Sequence, residues 1–187
     1  MTHRFIFFEE FLKHPRQVGS ITPSSRIIER SIAEAAGVKS ADTIVELGPG
    51  TGGTTLAILK EMAPHAKLLS IEINPRLHNL VSRVEDDRLI AHLGNVDSLE
   101  EILAMYGLDS PEALISGIPF STMSHVTASR ILETIASALA PGGRFVAYQL
   151  AGRVASVSAP FLGPAKVQWK LFNIPPMRIY RWEKNSL

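Results

Sequence analysis

A doubly wound α/β sheet is the fold this sequence predicts. Apolar runs of strand length alternate with helix-length runs through most of the chain. A glycine cluster joins the first of those strands to the helix after it. Near the carboxyl end the alternation stops, and two strand-like runs stand with no helix between them. Strand–helix units with short connections give a parallel sheet, and the last two runs give an antiparallel hairpin at its edge.

Taken in order, residues 2–13 read as a short helix with Phe5, Phe8, Phe11 and Leu12 on one face, ended by Pro15. "GSITPSSR" is a loop, and Ser24 or Ser25 caps a helix that runs to about Ala36 and stops at Gly37. "TIVEL" (43–47) is a buried strand and 52–62 a helix. "AKLLSIEI" (66–73) is the second strand, and Pro75 opens the next helix at its first turn. "RLIAHLG" (88–94) is the third strand, with a short helix near 98–105. "EALISGIPF" (112–120) is a fourth strand running into a turn, followed by a long helix over 123–139 and a fifth strand, "GGRFVAYQL" (142–150). "AKVQWKLF" and "MRIYRW", flanking "NIPP", form the closing hairpin and bring the sheet to seven strands.

Composition sets the class. With 187 residues, 45% apolar and 20% charged, the chain reads as one globular domain over 1–187, with 1–36 a helical extension at its amino end. A net charge of +1 argues against a protein that wraps nucleic acid. The absence of cysteine excludes disulfides and thiolate chemistry and suits a reducing cytosol. No apolar run reaches the roughly 18 residues of a spanning helix. The apolar start is broken by Glu9 and Glu10 and lacks a small-residue cleavage site, so a cytoplasmic location is expected.

The glycine cluster "VELGPGTGG" fits two templates. Gly48, Gly50 and Gly53 satisfy G-x-G-x-x-G, a dinucleotide fingerprint; Glu46, Gly48, Gly50 and Gly52 satisfy E-x-G-x-G-x-G, a methyl-donor fingerprint. In either case Gly48 and Gly50 let the backbone approach a ligand, with Thr51 between them and a helix whose free N–H groups face the same space. Glu72, at the end of the second strand, can accept both hydroxyls of an adenosine ribose, with Ile73 beside it. Glu72 supports a nucleoside without choosing one. Glu46 separates the ligands: its carboxylate suits the ammonium of a methionine moiety and repels a pyrophosphate. A chain of this length also has no room for the substrate domain that nicotinamide enzymes carry. Five parallel strands closed by an antiparallel one make the Rossmann-like topology of class I methyltransferases. S-adenosylmethionine is therefore the expected cofactor.

After the third strand, Asn95 can accept from an adenine amino group and Val96 can donate from its backbone, with Asp97 an alternative to Asn95. "LISGIPFST" follows the fourth strand, where amino methyltransferases place N-P-P-Y or N-L-P-Y. There the Ser116 hydroxyl and the carbonyls near Gly117 and Ile118 can hold an amine by its N–H groups, Pro119 stiffens the turn, and Phe120 offers a ring face to the developing cation. His125 and Tyr148, near carboxyl-end loops, can relay the proton the amine loses. No cluster has metal-ligand spacing and no nucleophilic triad is visible.

"FLKHPRQVGSITPSSR", "VELGPGTGGTT", "ISGIPFS" and "NIPPMRIYRW" together resemble bacterial phospholipid N-methyltransferases of the small, membrane-associated type, distant relatives of the ribosomal RNA adenine dimethyltransferases. The resemblance implies stepwise methylation of phosphatidylethanolamine toward phosphatidylcholine, with S-adenosylmethionine as donor. It implies peripheral association with the inner membrane through an anionic surface, and no nucleic-acid partner. It also implies that Ser20 and Thr22 fold over donor and headgroup, that Tyr180 lies near the headgroup, and that helix 2–13 meets the membrane. That helix carries Arg4 and Lys13, with Arg16 just beyond, as interfacial helices do; its rings can equally pack on the domain. Asn95 departs from the family's usual Asp, and the near-neutral charge is low for a membrane binder, so another amine remains open as acceptor. The alternatives are an RNA adenine dimethyltransferase, which carries a helical carboxyl-terminal domain and a basic surface, or a module that binds donor or lipid without turnover.

Overall fold

The computed structural model describes residues 26–149, 152–170 and 177–186, without the side chains of Arg26 and Lys170. The predicted helix at 2–13 and the loop bearing Ser20 and Thr22 lie outside the described residues.

The elements in chain order are α1 (Arg26–Ala36), β1 (Thr43–Leu47), α2 (Gly53–Glu61), β2 (Lys67–Glu72), α3 (Pro75–Val81), β3 (Leu89–Leu93), α4 (Leu99–Met105), β4 (Ala113–Ser116), α5 (His125–Ala138), β5 (Arg144–Gln149), α6 (Arg153–Leu162), β6 (Lys166–Lys170) and β7 (Met177–Glu183). Short 3-10 turns lie at Val96–Ser98 and Phe120–Thr122. The strands form one sheet in the order β3-β2-β1-β4-β5-β7-β6. The first five strands run parallel, and β7 pairs antiparallel with both β5 and β6. This is the expected class I methyltransferase architecture, a mixed seven-stranded sheet with its antiparallel hairpin.

Why these residues make a central strand is visible in β1. All five of its residues are buried, because helices cover both faces of the sheet there. Alternate residues feed two cores. Ile44, Leu68, Ile115 and Val146 pack with α1 and α2, while Val45, Leu47, Leu69, Leu114 and Phe145 pack with α4, α5 and α6. Asn74 starts α3 by accepting from the N–H groups of Arg76 (2.9 Å) and Leu77 (3.3 Å), and Pro75 occupies the first turn as expected.

One element is new relative to the sequence reading. Helix α6 stands between β5 and the hairpin, burying Val154 and Val157. Pro160 falls in its last turn, where a missing N–H removes a single bond, so the proline does not prevent the helix. The fourth strand ends at Ser116, earlier than expected, because Pro119 and the 3-10 turn at Phe120–Thr122 bend the chain away from the sheet.

Beyond β7, Lys184 closes α5. Its ammonium donates to the carbonyls of Ala136 (2.9 Å), Ser137 (3.1 Å) and Leu139 (2.6 Å), which have no partner inside the helix. Lys184→Met keeps the stem and removes these bonds; it should cost about 1–2 kcal/mol in chemical denaturation with the slope unchanged.

Candidate active site

The site is assembled where β1 and β4 end. The ladders extend one residue past the strands, with Gly48 N–H donating to Ile71 (2.9 Å), Gly117 N–H to Leu47 (2.8 Å) and Gly94 N–H to Glu72 (3.0 Å). Gly48, Gly50 and Gly52 all take left-handed φ angles, at 69°, 59° and 85°. Gly53 does not, so the left-handed backbone positions fall on the E-x-G-x-G-x-G spacing. Gly53 is small for another reason, since a side chain there would run into the Glu29 carboxylate of α1. Thr51 sits half-buried in the turn, and Gly52 opens α2.

Two buried carboxylates face this turn from below. Glu46 is fully buried, and its Oε2 accepts from Thr55 (2.6 Å) and from Ser70 (2.9 Å), its register neighbour on β2. Its Oε1 is buried with no partner among the described residues. Burial pushes the Glu46 carboxyl up to about 7, against the two hydroxyl bonds that lower it, while Glu72 and Glu29 add repulsion. Glu72 accepts from Asn74 N–H (2.9 Å) and Gly50 N–H (3.4 Å), so it ties the end of β2 to the glycine turn. Burial raises its carboxyl as well, opposed by backbone N–H bonds from Asn74, Gly50 and Ile73. Ile73 itself is about half exposed, an apolar surface beside an acid, which suits the face of a flat base.

At the end of β3, Asn95 is exposed. Its side-chain oxygen accepts from Asp97 N–H (3.3 Å) and its amide nitrogen donates to the Asp97 carboxylate (3.0 Å), capping a 3-10 turn whose first residue, Val96, is buried. Asp97 is tied to Arg130 (2.8 and 3.2 Å). The Asp97 alternative is thus committed elsewhere, and Asn95 keeps only part of its acceptor capacity.

The turn after β4 holds several corrections. Ser116 is fully buried and accepts from Ile118 N–H (3.2 Å). The Ile118 carbonyl already accepts from Phe120 N–H (3.0 Å) and from the Gln149 side chain (2.5 Å), so both its lone pairs are used and it is not free to take an amine. Phe120 is fully buried in the core with α5 and α6, so its ring offers no face to a cation. The Tyr180 ring is likewise core, stacked near Trp182, and only its hydroxyl meets the carboxyl edge, accepting from Arg178 (3.4 Å). His125 is exposed on the first turn of α5 and bonds Ser129 of its own helix (3.3 Å). Tyr148 does reach the site: its hydroxyl lies against Gly117, which has no room for a side chain, and bonds Thr54. Burial and the nearby Glu46 raise its phenol strongly, so it stays protonated and cannot serve as a base near neutral pH. Thr55, Ser70 and Gln149 were not expected. A serine among apolar residues of β2, in step with Glu46 across two parallel strands, is the signal that could have found Ser70.

No protein-family model matches the chain. It is 27% identical to an ornithine lipid N-methyltransferase of Singulisphaera acidiphila over 75% of this chain and 74% of that protein. It is 32% identical to a ribosomal RNA small subunit methyltransferase A of Nocardia farcinica over 73% of this chain; there it spans half of the relative's length. Among solved structures, the N-methyltransferase NodS from Bradyrhizobium japonicum WM9 superposes with a TM-score of 0.70 over 86% of this chain and 96% of that one, at 13% identity. NodS has also been solved with S-adenosyl-l-homocysteine.

Glu46 has a consequence for stability. Below the ordinary value of 4.5 the carboxyl is protonated in folded and unfolded chains alike and costs nothing. Between 4.5 and about 7 the unfolded chain ionises while the folded one does not, so stability falls as pH rises. Above about 7 the cost levels off near 3 kcal/mol. Glu46→Gln should therefore gain melting temperature relative to the parent as pH goes from 5 to 8, read by thermal unfolding at fixed ionic strength.

Proposed function

We propose that this chain, an S-adenosylmethionine-dependent methyltransferase of the class I fold, methylates the primary amine of a membrane lipid headgroup, phosphatidylethanolamine first among the candidates. The observation that carries the acceptor class is the similarity to a lipid N-methyltransferase across three quarters of both chains. The closing segments of the sequence, which resemble phospholipid N-methyltransferases, support the same class. The named substrate of that relative favours a second reading, in which the amine belongs to an ornithine lipid.

The residues present fit the donor. Glu46 Oε1, buried and unpartnered among the described residues, matches an ammonium. Glu72 matches a ribose diol, the left-handed glycines leave room for close backbone approach, and Ile73 offers apolar contact to a base. Bound there, S-adenosylmethionine would supply a methyl group already activated by its sulfonium for transfer to an amine. The chain itself has to hold the two reactants in line and keep the amine neutral. The Gly48–Gly117 contact supports that alignment by joining the donor turn to the acceptor turn, and Tyr148 braces it with a proton that does not leave.

The test is a transfer assay. Purified protein and methyl-labelled S-adenosylmethionine are incubated with vesicles containing phosphatidylethanolamine, vesicles containing ornithine lipid, or ribosomal RNA, and products are separated by chromatography. Label in phosphatidylethanolamine is the expected result; label in ornithine lipid alone selects the second reading, and label only in RNA overturns both. For the donor site, Glu72→Gln should weaken S-adenosylhomocysteine binding by about 100-fold in calorimetry, since one hydrogen bond to a charged acceptor is lost and the other is left to a neutral amide oxygen.

A further inference from the structure

The acceptor side of the sheet carries a charge pattern that the whole-chain total hides. From residue 134 to residue 182 there are six Lys and Arg and no Asp or Glu, so the rest of the chain carries −5 and the whole +1. The donor turn is ringed by Glu29, Glu46 and Glu72 on the other side of β1. Arg144, Lys166 and Arg181 of that stretch lie toward the other end of β5, whereas Arg178, opposite Gln149, lies at the carboxyl edge.

Within this stretch, Arg178 stands apart. It lies at the carboxyl-edge end of β7, opposite Gln149 in the antiparallel register, and Gln149 is the residue that holds the Ile118 carbonyl. Residues paired in this way put their side chains on the same face of the sheet, about 5 Å apart at Cβ. The guanidinium is fixed on two sides. Its carbon sits 4.1 Å over the ring of Trp169, which is half exposed, and its Nη1 donates to the Tyr180 hydroxyl (3.4 Å). Gly152 leaves space beside it, because a side chain there would lie 3.0 Å from Nη1. Its Nε is buried without a hydrogen-bond partner, and no carboxylate pairs with it, among the described residues. Nε, being buried, is closed to a ligand, but Nη2 makes no hydrogen bond among the described residues and is not among the buried unpartnered atoms, so that end of the oriented guanidinium can receive an oxyanion.

We infer that Arg178, held by Trp169 and Tyr180, binds the oxyanion of the acceptor headgroup, and so places the amine a few bonds away over the Ser116–Phe120 turn. This rests on the proposed lipid reading and deepens it: the substrate class is a lipid that bears a primary amine and an oxyanion in one headgroup. A phosphodiester in phosphatidylethanolamine and a carboxylate in an ornithine lipid share that chemistry. It also gives Tyr180 its part, which is to orient the arginine rather than to touch the headgroup.

The experiment measures initial rates of the full chain on three vesicle types: phosphatidylethanolamine, ornithine lipid, and a long-chain primary alkylamine that has no oxyanion, each in a neutral lipid. Arg178→Gln should raise KM at least tenfold for whichever oxyanion-bearing lipid the parent uses, with S-adenosylhomocysteine affinity by calorimetry within twofold. On the alkylamine the variant and the parent should match. Arg178→Lys should recover part of the loss, and Trp169→Leu, which removes the stack and keeps the charge, should show a smaller rise in KM. An unchanged KM for Arg178→Gln on the lipid that the parent methylates overturns the inference, as does an equal loss on the alkylamine. Failure of the parent to methylate any lipid instead overturns the functional reading on which the inference stands.

Discussion

The contact on which the site depends is between two turns of bare backbone. A side chain on Gly117 would lie 2.7 Å from the Gly48 carbonyl, and one on Gly48 would lie 3.4 Å from the Ile118 side chain. At Gly117 the close backbone leaves room for glycine alone, while at Gly48 it is the left-handed φ that makes the demand. Because β1 and β4 are neighbours at the centre of the sheet, this closure brings what β2 presents, Glu72, to within one turn of what β4 and β5 present, Ser116 and Tyr148. The parallel order, reversing at β1, creates the crevice; the two glycines set its width.

Electrostatics then divides the crevice. On the donor side, Glu46 is buried at a cost to stability, with one oxygen satisfied by Thr55 and Ser70 and the other left without a partner among the described residues. Such a group persists when the surrounding structure over-determines it, as two hydroxyls on α2 and β2 do here, and it is the kind of feature that a ligand rather than the fold explains. Across β5, the carboxyl edge carries Arg178 opposite Gln149, with no carboxylate paired to it among the described residues. Among the described residues no helix is long and apolar enough to cross a membrane.

The sheet was legible because its signals are local and periodic. Apolar runs between glycine and proline punctuation gave each parallel strand, and the paired runs around "NIPP" gave the hairpin. Helix α6 was hidden by small polar residues and by Pro160, which argue for a loop until β5 and β7 supply a surface for Val154 and Val157. The site was legible in part. Glu46, Glu72 and the glycines belong to one contiguous pattern, and the sequence could not decide between Gly52 and Gly53 because only backbone angles distinguish them. Phe120 misled because an aromatic after a proline-containing turn reads the same whether it points to a ligand or into the core beneath α5 and α6. Arg178 was invisible for the opposite reason. Its neighbours come from two other stretches of chain, Gln149 and Gly152 around the end of β5 and Trp169 in β6.

The central claim is that the crevice between the β1 and β4 turns seats a methyl donor with its nucleoside toward β2. The most direct measurement is a backbone amide NMR titration of the full chain with S-adenosylhomocysteine. The account predicts the largest shifts at Gly48, Gly50, Gly52, Ile73 and Val96, with Gly117 following and the groove between α4 and α5 silent. Shifts concentrated on that groove, around Glu101 and Glu133, with the glycine turn unmoved, would contradict it.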